Sequence, residues 1–353
     1  MKTLVVQVSP YPPEPGSDYH AHVAGELRRR GVPVVVLAGR GAEGRLVYPV
    51  YRAPRLGVGS VRACIAALFQ ALAWLALVIR AARRLGFRVI VHFHYGPTGW
   101  PGLVLGEQYP LGMILARLMG AYVVWTIHAM LTPRQVYMEA RARGLPPPAA
   151  LAATAYYMLV SLIAAHASNR VIVLVDTPDA EAPHVIGGML ARRVHAQVHP
   201  AFPCNGAHGG GGRERAVYCL GYIRREKAYH VIASWLIGGG GLLRFKIIGG
   251  VDEGRPADAA YARHLQRLAA ETGGLMSVSI GRLDRRGFIE AVSRAYAVWC
   301  AYTGKYGPSG ILAWARGCGS RPLCVESMWG GCSGGAPSFA EHVEELLREV
   351  YGC

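Results

Sequence analysis

One stretch of the sequence combines several features that bind phosphate: AVYCLGYIRREKA, residues 216–228. It opens with a short apolar run, typical of a buried parallel strand, and the run ends at Gly221. Arg224, Arg225 and Lys227 follow, and a helix-like segment comes directly after them. Backbone N–H groups and the dipole at a helix start attract anions, and Arg and Lys supply opposite charge. The stretch therefore predicts a phosphate-binding loop; a solvated basic loop is the alternative interpretation.

Histidines stand at the ends of two apolar runs in the N-terminal half of the chain. The run 88–93 predicts a strand with His94 at its end, and the run 121–127 predicts another that is followed by His128. Polar residues at the carboxyl ends of parallel strands point into the crevice where such folds bind ligands. His92 and His94 share one face of their strand, but no carboxylate cluster accompanies them, and we predict no metal site. A hydrogen-bonded histidine without a binding role is the alternative for each.

Two series of strand-like runs lie on either side of the glycine-rich segment PCNGAHGGGG, residues 203–212. The first series opens with a strand, a helix and a second strand, as doubly wound α/β proteins do. It lacks a G-x-G-x-x-G motif, so we expect no dinucleotide cofactor. The predicted boundaries are residues 1–203 for an N-terminal domain, 204–213 for a linker, 214–337 for a C-terminal domain and 338–353 for a last helix near the hinge. Ser338 and Glu341 form a capping-box pattern at the start of that helix.

Two apolar segments of seventeen residues, Ala63–Ile79 and Ala149–Ala165, are at the lower limit for a membrane span. A span at the first segment would place the predicted strands at 2–8 and 88–93 on opposite sides of the bilayer and divide one sheet. We therefore predict two helices that are buried or that lie against a membrane surface.

Composition limits the classes of partner. The 353 residues are 52% hydrophobic and 17% charged, which indicates a folded chain rather than a disordered one. A net charge of +16 indicates an anionic partner, such as a nucleotide or a phospholipid surface. Nucleic acid is disfavoured because the sequence has no stacking-aromatic or basic-helix module.

The cysteines and the N-terminus indicate the compartment. None of the eight cysteines has C-x-x-C spacing, so we predict no zinc site. The first apolar run is too short for a signal peptide, and we expect a cytoplasmic protein with mostly reduced thiols unless the source is a hyperthermophile. Asn169 and Asn205 are the only asparagines, which suits a thermophilic source or GC-rich coding.

The order of these segments resembles that of the GT-B glycosyltransferases, and most closely the retaining family 4 group, through most of the chain. The matching runs are VIVHFHYGPTG against D-V-V-H-x-H, VVWTIHAM against T-x-H, LGYIRREKA against G-R-L-x-x-E-K-G, FKIIGGVDEG against V-I-V-G-D-G-P and SVSIGRL against F-L-G-R-V. The resemblance implies an α/β fold of two Rossmann-like domains that face a central cleft.

The resemblance also implies a reaction and a site. It implies transfer of a hexose from a nucleotide-sugar donor to a sugar or a lipid-linked glycan, without a metal or a further cofactor. His128 would lie against the donor sugar, and Lys227 with nearby arginines would hold the diphosphate. The donor-binding residues that it implies are Gly16, His94, Gly221, Tyr222, Arg224, Arg225, Lys227, Gly250, Arg282, Tyr306, Gly307 and Ser309. The basic charge and the apolar segments add peripheral contact with an anionic membrane to these expectations.

The chain departs from the family pattern at three positions. Tyr222 stands where the family has arginine in the phosphate loop. The run GKYGPSGILAWARG resembles E-G-F-G-L-P-x-x-E-A-M-A-C-G, but Gly304 and Leu312 stand at its two glutamates. If the chain is an enzyme, we expect Glu326, just after a predicted strand, to replace a lost carboxylate. His128 and Glu326 are then the two predicted catalytic residues. Two alternatives stay open: Glu326 pairs with an arginine at the surface, and the chain is an inactive GT-B protein that serves as a binding or scaffold subunit.

Overall fold

The computed structural model describes residues 2–9, 19–39, 47–51, 61–95, 103–128, 131–177, 194–204, 213–241, 243–252, 255–301, 309–324 and 335–352. The N-terminal part contains strands β1 (Thr3–Ser9), β2 (Val34–Gly39), β3 (Val47–Tyr51), β4 (Arg88–Tyr95), β5 (Tyr122–Ile127), β6 (Arg170–Val175) and β7 (Val194–Val198). Its helices are α1 (Tyr19–Arg29), α2 (Val61–Arg84), α3 (Leu103–Leu118), α4 (Pro133–Ala142) and α5 (Pro147–Ala167). Within the described residues the strands form one parallel sheet in the order β3-β2-β1-β4-β5-β6-β7.

The C-terminal part forms a second parallel sheet. Its strands are β8 (Glu214–Leu220), β9 (Arg244–Gly249), β10 (Met276–Ile280), β11 (Ala295–Trp299) and β12 (Arg321–Leu323). Its helices are α6 (Tyr229–Ile237), α7 (Pro256–Glu271), α8 (Arg285–Arg294), α9 (Gly310–Gly317) and α10 (Phe339–Glu345), the last extended by a wider π-helical turn over Leu346–Tyr351. Among these residues the strand order is β10-β9-β8-β11-β12. The predicted α/β class with two parallel sheets is confirmed.

Three large apolar cores among the described residues hold the layers together, and a small cluster of Leu131, Val136 and Tyr157 lies between α4 and α5. Helices α2, α3 and α5 cover one face of the first sheet, with Ile79, Met113 and Ala164 in that core. Helices α6 and α7 cover one face of the second sheet. The remaining core is continuous from Tyr19 of α1 to Leu312 of α9, because α1, α9 and α10 fill the space between the two sheets. The last helix therefore packs on α1 and the first sheet, although it follows the second sheet in the chain.

The sequence did not predict the two edge strands β3 and β7. Strand β3 contains Pro49, and an edge strand can hold a proline because one side of it has no hydrogen-bonding neighbour. Strand β7 has the sequence VHAQV, which is too short and too polar to stand out as an apolar run. Strand β4 also runs on to Tyr95, so that His94 lies inside the strand and not after it. Residues 205–212 of the predicted linker lie outside the described residues.

The long apolar helices are crossover helices of the first domain. Of the described helices, α5 alone is long and apolar enough to cross a membrane, and a third of its most apolar window is buried in the protein. It packs against α3 and α4, and β6 follows it beside β5 in the same sheet. A helix in this position cannot cross a bilayer while its sheet stays intact.

Cys204 and Cys318 form a disulfide with an S–S distance of 2.11 Å, so these two residues are exceptions to the expectation of mostly reduced thiols. Their Cα atoms are 5.0 Å apart, well within the range that a disulfide bridges. The close approach depends on Gly317, because a Cβ there would lie 1.7 Å from the Phe202 carbonyl oxygen. Cys324 is disulfide-bonded as well, whereas Cys219 and Cys300 are buried free thiols.

Reciprocal capping boxes begin two of the described helices. The capping box predicted at Ser338 and Glu341 is confirmed, since the Glu341 N–H donates to Ser338 Oγ and the Ser338 N–H donates to Glu341 Oε2. Thr132 and Gln135 form a second box at α4, with the Gln135 N–H 3.3 Å from Thr132 Oγ1 and the Thr132 N–H 2.8 Å from Gln135 Oε1.

We expect Thr132→Ala to lower the free energy of unfolding by about 1 kcal/mol, because the Gln135 N–H loses its acceptor. Urea unfolding followed by circular dichroism measures the change. Thr132→Ser is the matched control and is expected to unfold like the parent, since serine keeps the hydroxyl. Equal losses in the two variants would show that the methyl group, and not the cap, stabilises this turn.

Candidate functional site

The predicted phosphate loop follows β8 and closes tightly on itself. Gly221 has a φ of 85°, in the left-handed region that favours glycine. A Cβ at Gly249 would lie 1.7 Å from the Gly221 carbonyl oxygen, so this approach of β9 also requires glycine. A 3-10 turn over Arg225–Lys227 leads through Ala228, with a φ of 54°, into α6. The strand, turn and helix lie where the sequence predicts them.

Lys227 points back along this loop to the carboxyl end of β8. Its Nζ donates a hydrogen bond of 2.7 Å to the Leu220 carbonyl oxygen. A Cβ on Gly221 would lie 3.0 Å from Lys227 Nζ and 3.7 Å from Ile311 Cδ1 of α9. Burial, together with the smaller effect of the Arg224 charge, lowers the pKa of Lys227 to about 8. The amine is thus a desolvated cation at neutral pH, beside the start of α9.

Tyr222, which stands where the family motif has arginine, lies between two guanidinium groups. Arg224 Cζ is 5.0 Å and Arg282 Cζ is 4.9 Å from the centroid of its ring. Arg282 also donates to the Tyr222 hydroxyl. Gly250 permits this crossing, because a Cβ there would lie 3.0 Å from Arg282 Cγ. The structure thus brings a cation to the altered position from a loop sixty residues away.

Arg224 faces carboxylates rather than the start of α6. A charged network joins α4 to the second domain; its members are Glu139, Arg143, Arg224, Glu226, Asp252, Arg255 and Asp258. In it, Asp252 Oδ2 lies 3.2 Å from Arg224 Nη2 and 3.5 Å from Arg143 Nη2. The Arg224 charge is therefore balanced at the domain interface, whereas Arg225 is exposed. Their predicted contacts with a diphosphate stay predictions.

The carboxyl edge of the first sheet carries a cluster of buried histidines. The His94 ring lies against that of His92, with centroids 4.1 Å apart and planes tilted by 32°, and only 4% of His94 is exposed. The Tyr19 and His128 rings lie 5.5 and 5.8 Å from that of His94. Within the described part of the chain, neither ring nitrogen of His94 has a hydrogen-bond partner, and neither does the buried Nε2 of His128. These two side chains have unused hydrogen-bonding capacity.

Burial determines the protonation state of this cluster. It lowers the pKa of His94 and His128 well below the usual 6.5, and the neighbouring histidines add to the effect. Both imidazoles are therefore neutral at physiological pH, each with one donor and one acceptor nitrogen. Such groups suit the hydroxyl groups of a neutral ligand better than a phosphate.

The last helix supports the cluster through contacts that the sequence analysis missed. Tyr351 Oη lies 2.6 Å from His92 Nδ1, and His92 Nε2 lies 2.5 Å from Thr126 Oγ1. Tyr19 Oη lies 2.5 Å from His342 Nε2. Because Tyr19 and His342 are 323 positions apart, no local pattern predicts that they meet. The only signal in the sequence is an amphipathic last helix that carries a histidine and a tyrosine.

Helix α9 brings the two sheet edges together. The Ser309 N–H donates to Asp176 Oδ1 at 3.0 Å, directly after β6, and Arg316 Nη1 donates to the Asp176 carbonyl oxygen at 2.9 Å. The hydroxyl of Ser309 caps α9 by accepting from the Leu312 N–H. Leu312, where the family has glutamate, is 0% exposed and belongs to the shared core. The predicted site residues Gly16, Tyr306, Gly307 and Glu326 lie outside the described residues.

Comparisons with known proteins identify the fold. No protein-family model and no curated protein matches the sequence. The structure is similar to that of HepE from Anabaena in complex with UDP and glucose, with 12% identity over 99% of this chain and 91% of that chain and a TM-score of 0.59. Sucrose-phosphate synthase from Thermosynechococcus elongatus has 13% identity, coverages of 99% and 90% and a TM-score of 0.59. A glycosyltransferase from Rickettsia africae has 10% identity, coverages of 98% and 89% and a TM-score of 0.55. These similarities confirm the predicted GT-B fold.

Proposed function

We propose that this GT-B protein is a glycosyltransferase that moves a sugar from a nucleotide-sugar donor to an acceptor sugar or lipid-linked glycan. One observation carries the proposal: the Lys227 amine and the neutral imidazoles of His94 and His128 lie at the carboxyl edges of two sheets that meet through α9. A nucleotide sugar has both matching parts, an anionic diphosphate and a neutral polyhydroxyl ring. The similar HepE structure, which contains UDP and glucose, supports this choice of ligand.

In the proposed reaction the diphosphate leaves with its negative charge increasing in the transition state. Lys227 would stabilise that charge, with Arg282 as the second cation beside Tyr222. A partly buried amine is effective because there is little water to screen its charge. His94 and His128 would orient the sugar through hydroxyl groups. Because both cations come from the protein, we propose that the reaction does not need a metal. Retention of the anomeric configuration is also part of the proposal, and it rests on the family resemblance alone.

A second function is favoured by one observation. Leu312 lies in the shared core at a position where the family has a glutamate, and its apolar side chain cannot accept hydrogen bonds from a ribose or a sugar. A GT-B chain without these acceptors could bind nucleotide sugar without transferring it. The alternative is therefore an inactive binding or scaffold subunit.

Thermal unfolding in the presence of UDP-, GDP- and ADP-glucose separates these possibilities. A donor at about 100 times its Kd stabilises a folded protein by about 2.7 kcal/mol, so we expect one donor to raise the melting temperature by several degrees. Release of the nucleoside diphosphate from that donor is then measured with and without candidate glycan acceptors. Stabilisation followed by release supports the enzyme. Stabilisation without release supports the binding subunit, and the absence of stabilisation by any nucleotide sugar would contradict both.

A further inference from the structure

The outward face of α5 is apolar, and its inward face is composed mainly of small residues. The buried positions of this helix include Ala150, Ala153, Ser161 and Ala164. Its large aliphatic side chains point the other way: Leu151, Leu159, Leu162 and Ile163 are all exposed. A helix that serves only a soluble core has the opposite arrangement, with its large apolar residues inward. The outward face of α5 is therefore suited to a second apolar environment.

The neighbouring helices continue this face. Helix α3 packs beside both α2 and α5, and its Leu118 is 81% exposed. Phe69 of α2 is 66% exposed, and Trp74 of the same helix is 40% exposed. A groove of about 670 Å³ lies between α3 and α5. Its lining includes Ile114, Leu118, Leu162 and Ile163. We call the exposed side of α2, α3 and α5 the helical face.

Among the side chains that the structure describes on α2, α3 and α5, the charges have one sign. Arg80, Arg83, Arg84 and Arg117 are exposed on α2 and α3. Arg83 donates to the Met119 carbonyl oxygen and Arg117 to that of His166, so guanidinium groups lie at the ends of α3 and α5. Between residues 44 and 175 the sequence contains thirteen arginines and two acidic residues, Glu107 and Glu139. Glu139 belongs to the network at the domain interface.

We infer that the helical face docks on an anionic phospholipid bilayer, with its leucines and Phe69 among the acyl chains and its arginines at the phosphates. An exposed apolar layer with basic side chains at its edge matches the two regions of a lipid surface. The helices lie on the surface and do not cross it, because the strands that they connect belong to one sheet. This inference does not depend on the proposed reaction.

Vesicle sedimentation tests the inference on the full chain. We expect binding to vesicles of phosphatidylglycerol and phosphatidylcholine and much weaker binding to phosphatidylcholine alone. Leu162→Asp should reduce binding to the anionic vesicles about tenfold or more, since an exposed leucine no longer enters the acyl region. The double variant Arg80→Gln, Arg84→Gln should bind anionic vesicles about fivefold more weakly for each charge removed. Its binding to neutral vesicles should change little.

Val231→Asp is the matched control, because Val231 is also an exposed apolar residue on a helix, but of the second domain. It should bind vesicles like the parent. Leu159→Asp is a second variant of the helical face if Leu162→Asp does not fold, and circular dichroism establishes that each variant is folded. Trp74 provides a direct signal: brominated lipid should quench the parent more than Trp74→Phe. The inference would be overturned if the parent bound both kinds of vesicle equally, or if Val231→Asp lost as much vesicle binding as Leu162→Asp. It would also be overturned if the parent formed a dimer without lipid and Leu162→Asp abolished that dimer. In that case the helical face would bind a second copy of the chain.

Discussion

Leu312→Glu is expected to destabilise the protein by about 3–4 kcal/mol at pH 7. The parent side chain is fully buried in the core shared by the two domains, with the start of α9 capped by Ser309. A carboxyl group there avoids ionisation by staying protonated, and that costs about 1.36 kcal/mol for each pH unit above an unfolded pKa of about 4.3. A glutamate at the position where the family 4 pattern has one therefore carries a stability cost that is separate from any gain in activity.

The pH dependence of unfolding shows whether the buried carboxyl group causes the destabilisation of Leu312→Glu. Burial would raise the folded-state pKa of the new carboxyl above its unfolded value, so the penalty is absent below about pH 4 and grows as the pH rises. It stops growing above the folded-state pKa. Urea unfolding at several pH values should show the gap between Leu312→Glu and the parent closing on acidification. Leu312→Gln is the control, because it has nearly the same shape and its loss should not change with pH.

The opposite result would also be informative. A Leu312→Glu variant as stable as the parent at pH 7 would mean that the new carboxylate finds a cation, and Lys227 lies close to Ile311 of the same helix. If that variant also released nucleoside diphosphate faster than the parent, position 312 would face the donor. The parent would then be the inactive member of the pair.

The sequence predicts the local parts of this site well and the long-range parts poorly. The strand, glycine and helix around Lys227 are predicted because an apolar run, a turn residue and a helical pattern are each local signals. The position of Arg282 over Tyr222 depends on Gly250 and on the pairing of β9 with β10, which are set by tertiary packing. The contacts of Tyr19 with His342 and of His92 with Tyr351 join the two ends of the chain. Pairings at such separations leave no periodic pattern to read.

The ion pairs of Arg224 are a second feature that the sequence alone does not predict. Its place in the loop predicts a phosphate contact, which stays a prediction, and its guanidinium lies near Asp252, Asp258 and Glu226. The two other cations of this network, Arg143 and Arg255, come from outside the loop. A basic loop motif therefore predicts the presence of positive charge, and the packing of the domains decides which cation keeps its charge for a ligand.

Lys227→Ala is expected to weaken the binding of a nucleotide-sugar donor about 10- to 150-fold, which corresponds to about 1.5–3 kcal/mol for a charge-assisted hydrogen bond. Lys227→Met should show a similar loss while it keeps most of the packing beside Ile311. Arg224→Gln is the matched control from the same loop, and a much smaller loss is expected because carboxylates already balance that charge. Isothermal titration with the donor that stabilises the parent measures all three.

The pKa of Lys227 adds a second test of the same assignment. Burial lowers that pKa to about 8, so the free protein loses the charge as the pH rises through this value. Donor binding to the parent should therefore be constant from pH 6 to about 7 and fall by up to about tenfold per unit well above pH 8. Lys227→Met has no proton to lose at this position and should bind weakly without that decline. If the parent and Lys227→Met show the same pH profile, or if Arg224→Gln loses as much affinity as Lys227→Ala, then Lys227 does not hold the diphosphate.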